Sequence, residues 1–195
     1  MAKPVLLLGS PTLRLKSEAV CEFASASFKG DIADLKEALE DFRARNGFGR
    51  GIAAIQIGIA RRMIALNLGG GPFVIVNPRI VRRSPEAFRM WDDCMSFPDL
   101  VVRVERHRSI DVEYLDEGGN RKEWPGLDQA TSELLQHEID HLDGVLAIDR
   151  AIEASDIIYK AEYSRNRAYY DTMVDYAIRP TIAAARDLEM SHELY

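Results

Sequence analysis

The sequence predicts an α+β fold, with antiparallel β-sheets packed around a central helix and helices towards both ends, on three observations. A helical apolar period runs over residues 31–45, short strand-like segments fill the middle of the chain, and a second helical period begins near Thr131. A chain of 195 residues can bury roughly 70% of the surface that its unfolded form exposes, enough for one domain without covalent staples. Residues 1–195 read as that single domain, with a helical extension from about residue 151.

Each element has a local reason. In "DIADLKEALEDFRAR", Ile32, Leu35, Leu39 and Phe42 recur at helical spacing, with Asp31 placed to cap the start and Asn46-Gly47 to stop it. The segments "RMIALNL", "PFVIVNP", "LVVRVERH" and "SIDVEYLD" are rich in branched residues and are separated by the turn signals "GGG", "NP", "SP" and "DEGGN". The triple glycine at 69–71 lies between two such segments with no helix after it, which makes it a hairpin loop rather than a phosphate cradle. From Thr131, residues Leu134, Leu135, Ile139 and Leu142 form one helical face, and Gly144 stands where a terminating glycine belongs. A further helix is expected over 151–175.

Composition narrows the function classes. Hydrophobic residues make up 47% and charged residues 29%, and no apolar run approaches the roughly 18 residues that span a membrane. The first twenty residues show no secretory pattern, so the protein is expected in the cytoplasm, with no membrane partner. A net charge of -6 argues against DNA or other nucleic acid, and Arg61-Arg62 and Arg82-Arg83 read as solvated strand ends. In a reducing compartment Cys21 and Cys94 are not expected to pair, and Cys21 reads as a buried apolar thiol. Lys160, Arg165 and Arg167 could form a basic helix face, but acidic residues outnumber basic ones from 151 onward, which favours a solvated face.

The chemistry concentrates in "QHEIDH", residues 136–141. Four residues turn a helix by about 400°, so His137 and His141 share one face and can ligate one cation, with Glu138 in reach of the cation's water. The third ligand has two candidates: no histidine follows in "LDGVLAIDR", but Glu162 in "KAEYSRN" and Cys94 in "RMWDDCMSFPD" both qualify. Adjacent carboxylates oppose a thiolate nucleophile, whereas a coordinated cation deprotonates a thiol outright. Cys94 therefore reads as a ligand rather than a nucleophile.

Three segments together resemble the peptide deformylase family: "GRGIAAIQ" at 49–56 against G-x-G-x-A-A-x-Q, "DDCMS" at 92–96 against E-G-C-L-S, and "QHEIDHLDG" at 136–144 against Q-H-E-x-D-H-L-x-G. The similarity spans about residues 3–150. It implies that Cys94, His137 and His141 bind one divalent metal ion, Fe2+ with Zn2+ as the alternative, and that Glu138 is the acid and base. It further implies that the Gln56 amide and the Met95 backbone N–H hold an oxyanion, and that the substrate is an N-formyl peptide, cleaved to formate and a free N-terminal methionine. Gly49 and Gly51 would let backbone approach the substrate, and Gln136 and Asp140 would orient ligands or pair with a residue such as Arg106.

The sequence departs from this pattern at informative places. Asp92-Asp93 replaces Glu-Gly and Met95 replaces leucine, while Arg50 and Glu133 occupy substrate-pocket positions that are usually apolar. Two opposite charges there are expected to form an ion pair at the pocket mouth that narrows or polarises it. Other readings are an amidase acting on a different formylated or acylated amine, a thermolysin-like protease using Glu162, and a non-catalytic metal-binding protein that recognises N-termini. The last gives Glu138 and Gln56 no purpose.

Overall fold

Alternation along three paired strands sets the architecture, seen in a computed structural model that describes residues 2–178. Strands β1 (Gly51–Ala53), β2 (Met63–Leu66) and β3 (Phe73–Arg83) pair antiparallel. Successive side chains on a strand point to opposite faces. Ile52, Met63, Ala65, Val74 and Val76 accordingly meet helix α1 (Ala26–Asn46), whereas Ala53, Ile64, Leu66 and Ile75 meet helix α2 (Gln129–Leu142). β1, β2 and the first residues of β3 are buried on both faces, which explains why they read as continuous apolar runs, whereas β3 from Arg79 onward is more exposed.

β6 (Ile110–Leu115) and β7 (Arg121–Trp124) complete a five-stranded sheet in the order β1-β2-β3-β6-β7. β4 (Ala87–Asp93), β5 (Leu100–His107) and β8 (Ile157–Tyr159) form a second, three-stranded sheet. α2 lies between the two sheets. Its Leu134, Leu135, Ile139 and Leu142 pack on the first sheet, while Ser132 and Gln136 hydrogen-bond the His107 backbone at the end of β5. Gln136 is thus a strut between helix and sheet rather than a partner of a ligand. The triple glycine does form the β2–β3 hairpin connection.

Several expectations need correction. α1 begins at Ala26, not at Asp31: the Ser25 hydroxyl accepts the Phe28 N–H at 3.1 Å, and Phe28 extends the buried face by a turn. Asp31 instead pairs with Arg61 at 2.8 Å. Arg62 is no solvated strand end either, since it reaches Pro78 O and Asp143. Cys21 is exposed, not buried.

The helix expected over 151–175 is broken. Arg103 holds both Asp156 carboxylate oxygens, at 2.9 and 3.0 Å, and the next three residues pair with β5 as β8. Among the described residues two short helices follow, α3 (Lys160–Arg165) and α4 (Arg167–Asp171). No helix among the described residues is long and apolar enough to cross a membrane.

Candidate metal centre

α2 places His137 and His141 one turn apart, with their Nε2 atoms 3.2 Å from each other. β4 ends at Asp93, and the next residue, Cys94, brings its Sγ to 3.2 Å from His141 Nε2. The three donor atoms lie within 4.8 Å of one another, and all three residues are buried. Two imidazole nitrogens bound to one tetrahedral cation at about 2.0–2.1 Å stand about 3.3 Å apart, so the spacing suits a shared ion. The sulfur also accepts the Ser96 N–H at 3.4 Å and the Gln56 Nε2–H at 3.6 Å, contacts that suit an anionic thiolate. Glu162 lies elsewhere, on α3, with its carboxylate on Arg165 and Asn166.

Adjacent strand residues face opposite ways, and this separates the two aspartates before Cys94. Asp92 turns inward, accepting from His137 Nδ1 at 3.0 Å and from Arg106 at 3.0 Å. His137 is thereby fixed with Nε2 directed at the centre, the usual device for orienting a metal-binding imidazole. Burial alone would raise the Asp92 carboxyl, but His137 and Arg106 together hold it well below the usual carboxylate range. Burial likewise opposes charge on His137, yet Asp92 and Cys94 keep its pKa well above the ordinary value. Arg106 also meets Asp140 at 2.5 Å, which ties β5 to α2. Asp93 turns outward and meets Lys160 at 3.2 Å.

Glu138 sits beside this group. Burial pushes its carboxyl up to about 7, and Oε2 has no hydrogen-bond partner among the described residues. A buried carboxylate left open in this way is available to a water or a substrate N–H. Gly51 lies against it: a Cβ there would stand 3.0 Å from Glu138 Oε1 and 3.1 Å from Leu66 Cδ2, so the residue must be small for the carboxylate to keep its place. Gly49 adopts φ +122, a backbone conformation that disfavours any side chain. Gln56 is held by the Ala53 N–H on its carbonyl side, which directs its amide nitrogen to Cys94 and Ser96.

A cavity of about 880 Å³ opens over these groups. One rim is Phe48 to Gly51, the other Asp92 to Met95, and Glu133, His137 and Glu138 line it from α2. Arg50 and Glu133 do form the expected ion pair, with Arg50 also donating to Ala130 O at 2.8 Å. The pair lies inside the pocket rather than at its mouth, since the two side chains are only 10% and 2% exposed. Burial pushes the Glu133 carboxyl up to about 7, more than Arg50 draws it down. Sequence reasoning missed the role of Asp92 and the cavity residues contributed by the chain beyond Tyr159. For Asp92 a signal existed in the two-residue period of "FRMWDD".

Two histidines and a cysteine converging beside a buried glutamate, on a helix held between two sheets, define a metallohydrolase of the H-E-x-x-H type. The polypeptide deformylase family matches residues 2–156. The chain belongs to that family. It is 34% identical over 156 residues to a peptide deformylase of Thermotoga neapolitana, covering 80% of this chain and 91% of the relative. It is 39% identical over 154 residues to that of Rhizobium meliloti, covering 75% and 83%. The crystal structure of peptide deformylase from Thermotoga maritima superposes with a TM-score of 0.71 at 33% identity, covering 78% of this chain and 99% of that one. That of Synechococcus elongatus in complex with actinonin superposes with a TM-score of 0.70 at 27% identity, covering 91% and 90%.

Proposed function

We propose that this enzyme, a metal-dependent peptide deformylase that frees the N-terminal methionine of nascent peptides, acts through Cys94, His137 and His141 as metal ligands and Glu138 as acid and base. The observation that carries the assignment is the convergence of three donor atoms within 4.8 Å beside an unpartnered buried carboxylate. Ferrous iron is the ion we propose, with zinc as the alternative, because mixed thiolate and imidazole ligation suits both. Bound there, a divalent cation lowers the pKa of its water and polarises a carbonyl.

The chain's own residues supply the rest. Glu138 takes the proton of the attacking water and delivers it to the amine nitrogen, so that formate and a free amine leave. Gln56 Nε2 and the Met95 backbone N–H donate to the oxygen that gains charge, a contribution worth about 3–4 kcal/mol per donor in comparable sites. Gly49 and Gly51 give the substrate main chain access beside Arg50. Ribosome contact through Lys160, Arg165 and Arg167 has weaker support, since each pairs with an acidic side chain of its own chain. We place the enzyme in the cytoplasm on the strength of its proposed substrate.

The test is formate release from an N-formyl-Met peptide by metal-loaded protein, with metal content measured alongside. Cys94→Ser is expected to lose most of the bound metal and Glu162→Ala none. The opposite pattern overturns the ligand assignment.

A second reading, hydrolysis of a different formylated or acylated amine, is favoured by the buried Arg50–Glu133 pair. Replacing such a pair by apolar residues is often neutral for stability. Arg50→Leu with Glu133→Leu is therefore expected to raise kcat/KM for formyl-Met peptides by about tenfold, the worth of burying roughly two further methylenes. A drop instead, with the fold intact, favours the second reading.

A further inference from the structure

The chain beyond residue 156 lies outside the matched family region, yet it brings Lys160, Tyr163, Arg167, Tyr176 and Ile178 to the cavity over the metal centre. The topology shows how they arrive there. The segment starts paired to β5, through Val102 and Ile157, and ends bridged to β4, through Met90 and Tyr176. β5 lies between β4 and β8, so the residues between must cross a face of this sheet.

The crossed face carries Trp91, Asp93, Val101 and Arg103, which the antiparallel register places side by side. Three ties hold the crossing. Arg103 holds both Asp156 carboxylate oxygens at the near end and donates to Met173 O at 3.4 Å. In the middle, Trp91 Nε1–H donates to Tyr170 O at 2.9 Å, and its ring lies 5.4 and 5.9 Å from those of Tyr170 and Tyr163. At the far end the Asp175 N–H donates to Arg89 O at 2.9 Å, and the Arg89 N–H donates to the Asp175 carboxylate at 3.0 Å.

This strap reaches both rims of the cavity. Lys160 Nζ donates to Asp93 at 3.2 Å on the cysteine side and lies 4.7 Å from the Phe48 ring centroid on the glycine side. The wall that results is largely apolar and aromatic: Trp91 and Val101 come from the sheet, Tyr163, Tyr176 and Ile178 from the strap. Its two cations are already paired, Lys160 with Asp93 and Arg167 with Asp171. The Tyr163 hydroxyl is occupied too, donating to Asp171 at 2.7 Å, so its ring is what it has to offer. Such rings give large contact area at little ordering cost and suit chains of varied sequence.

Resting on the deformylase reading above, we infer that the strap is a peptide-binding element in which Tyr163 and Tyr176 hold the nascent chain just past its formyl-methionine. They are specificity-determining residues that favour a formylated peptide over formyl-methionine alone. A cavity of about 880 Å³ falls in the upper part of the ~300–1,000 Å³ range of sites that enclose a drug-sized ligand. Formyl-methionine by itself is smaller than such a ligand, so the residues that follow it share the cavity and displace water from the aromatic wall. The contact is the same before and during reaction, so it acts on KM rather than on kcat.

The experiment compares N-formyl-Met amide with N-formyl-Met-Ala-Leu-Ala amide on zinc-loaded full-length protein. The longer amide is expected to exceed the shorter in kcat/KM by about tenfold, mostly through KM, the worth of burying roughly two methylenes. With Tyr163→Ala and Tyr176→Ala combined, the ratio is expected to fall to about twofold or less. Both side chains are only half-buried, so their removal opens no cavity in the core. Tyr163→Phe with Tyr176→Phe keeps both rings and is expected to retain most of the ratio. Calorimetric binding of the products, Met amide and Met-Ala-Leu-Ala amide, gives a readout independent of turnover and is expected to follow the same order in each variant. A ratio near one in the parent, a ratio unmoved by the alanines, or an equal loss with the phenylalanines overturns the inference. Failure to turn over any formyl peptide overturns the deformylase reading instead, while the calorimetric comparison still decides the role of the strap.

Discussion

Glu138→Gln is expected to lower kcat for formate release by about 10²–10⁴, the contribution of a well-placed general acid and base, while leaving metal content unchanged. The substitution keeps the shape and burial of the side chain beside Gly51 but removes its capacity to accept a proton. Little buried charge is lost with it, because burial pushes the Glu138 carboxyl up to about 7, where its neutral and charged forms coexist near neutral pH. Stability should therefore stay close to that of the parent. Metal analysis and formate assays on the same preparation check the result, and a variant with full metal and undiminished kcat would refute the assigned role.

Asp92→Ala is expected to cost about 3–5 kcal/mol of stability, because it strips one partner from a buried cluster and leaves charge behind. The Arg106 guanidinium is 4% exposed and would keep Asp140 alone, and His137 Nδ1 would lose its acceptor. With the imidazole no longer held, metal affinity should also fall by about 10–100-fold. Urea denaturation of metal-free protein isolates the first effect, and competition with a chelator the second. An unchanged metal affinity alongside the loss of stability would mean that Asp92 serves the fold without orienting His137. Asp92→Asn should lie between the two, since its oxygen can still accept from His137 but it carries no charge to set against Arg106.

The two changes differ in kind. Glu138 leaves one carboxylate oxygen without a protein partner among the described residues, whereas Asp92 binds β4, α2 and β5 into one charged unit. Reading that unit from sequence requires knowing that residues 92, 106 and 140 meet, and they come from three elements. The identity of Asp93 is similar. In sequence it stands next to Cys94 as a departure from the family pattern, but the pleat turns it to the other face, where its partner is Lys160, 67 positions away.

Local patterning was informative wherever one element carried the whole signal. The spacing of His137, Glu138 and His141 is a property of any helix, and the amphipathic faces of α1 and α2 follow from the same period. The hairpins around "GGG" and "DEGGN" needed only turn chemistry. β7 carried no such signal, because "RKEW" has one apolar residue and owes its strand conformation to pairing with β6. The segment over 151–175 misled for the converse reason: a helical reading there was overridden by Arg103, which captures Asp156 from another strand and draws the next residues onto the sheet edge.

What the sequence determined by itself, then, is the α+β class, the helix that carries His137 and His141, and the three motifs, all of which depend on residues within a turn or a strand of one another. What only the tertiary structure decided is which of the candidate third ligands reaches the histidines, which way each aspartate faces, how deep the Arg50–Glu133 pair is buried, and that the chain beyond residue 156 returns across the second sheet to line the cavity. These depend on contacts between residues distant in the chain, whose energies are set by burial and by partners that local sequence does not contain.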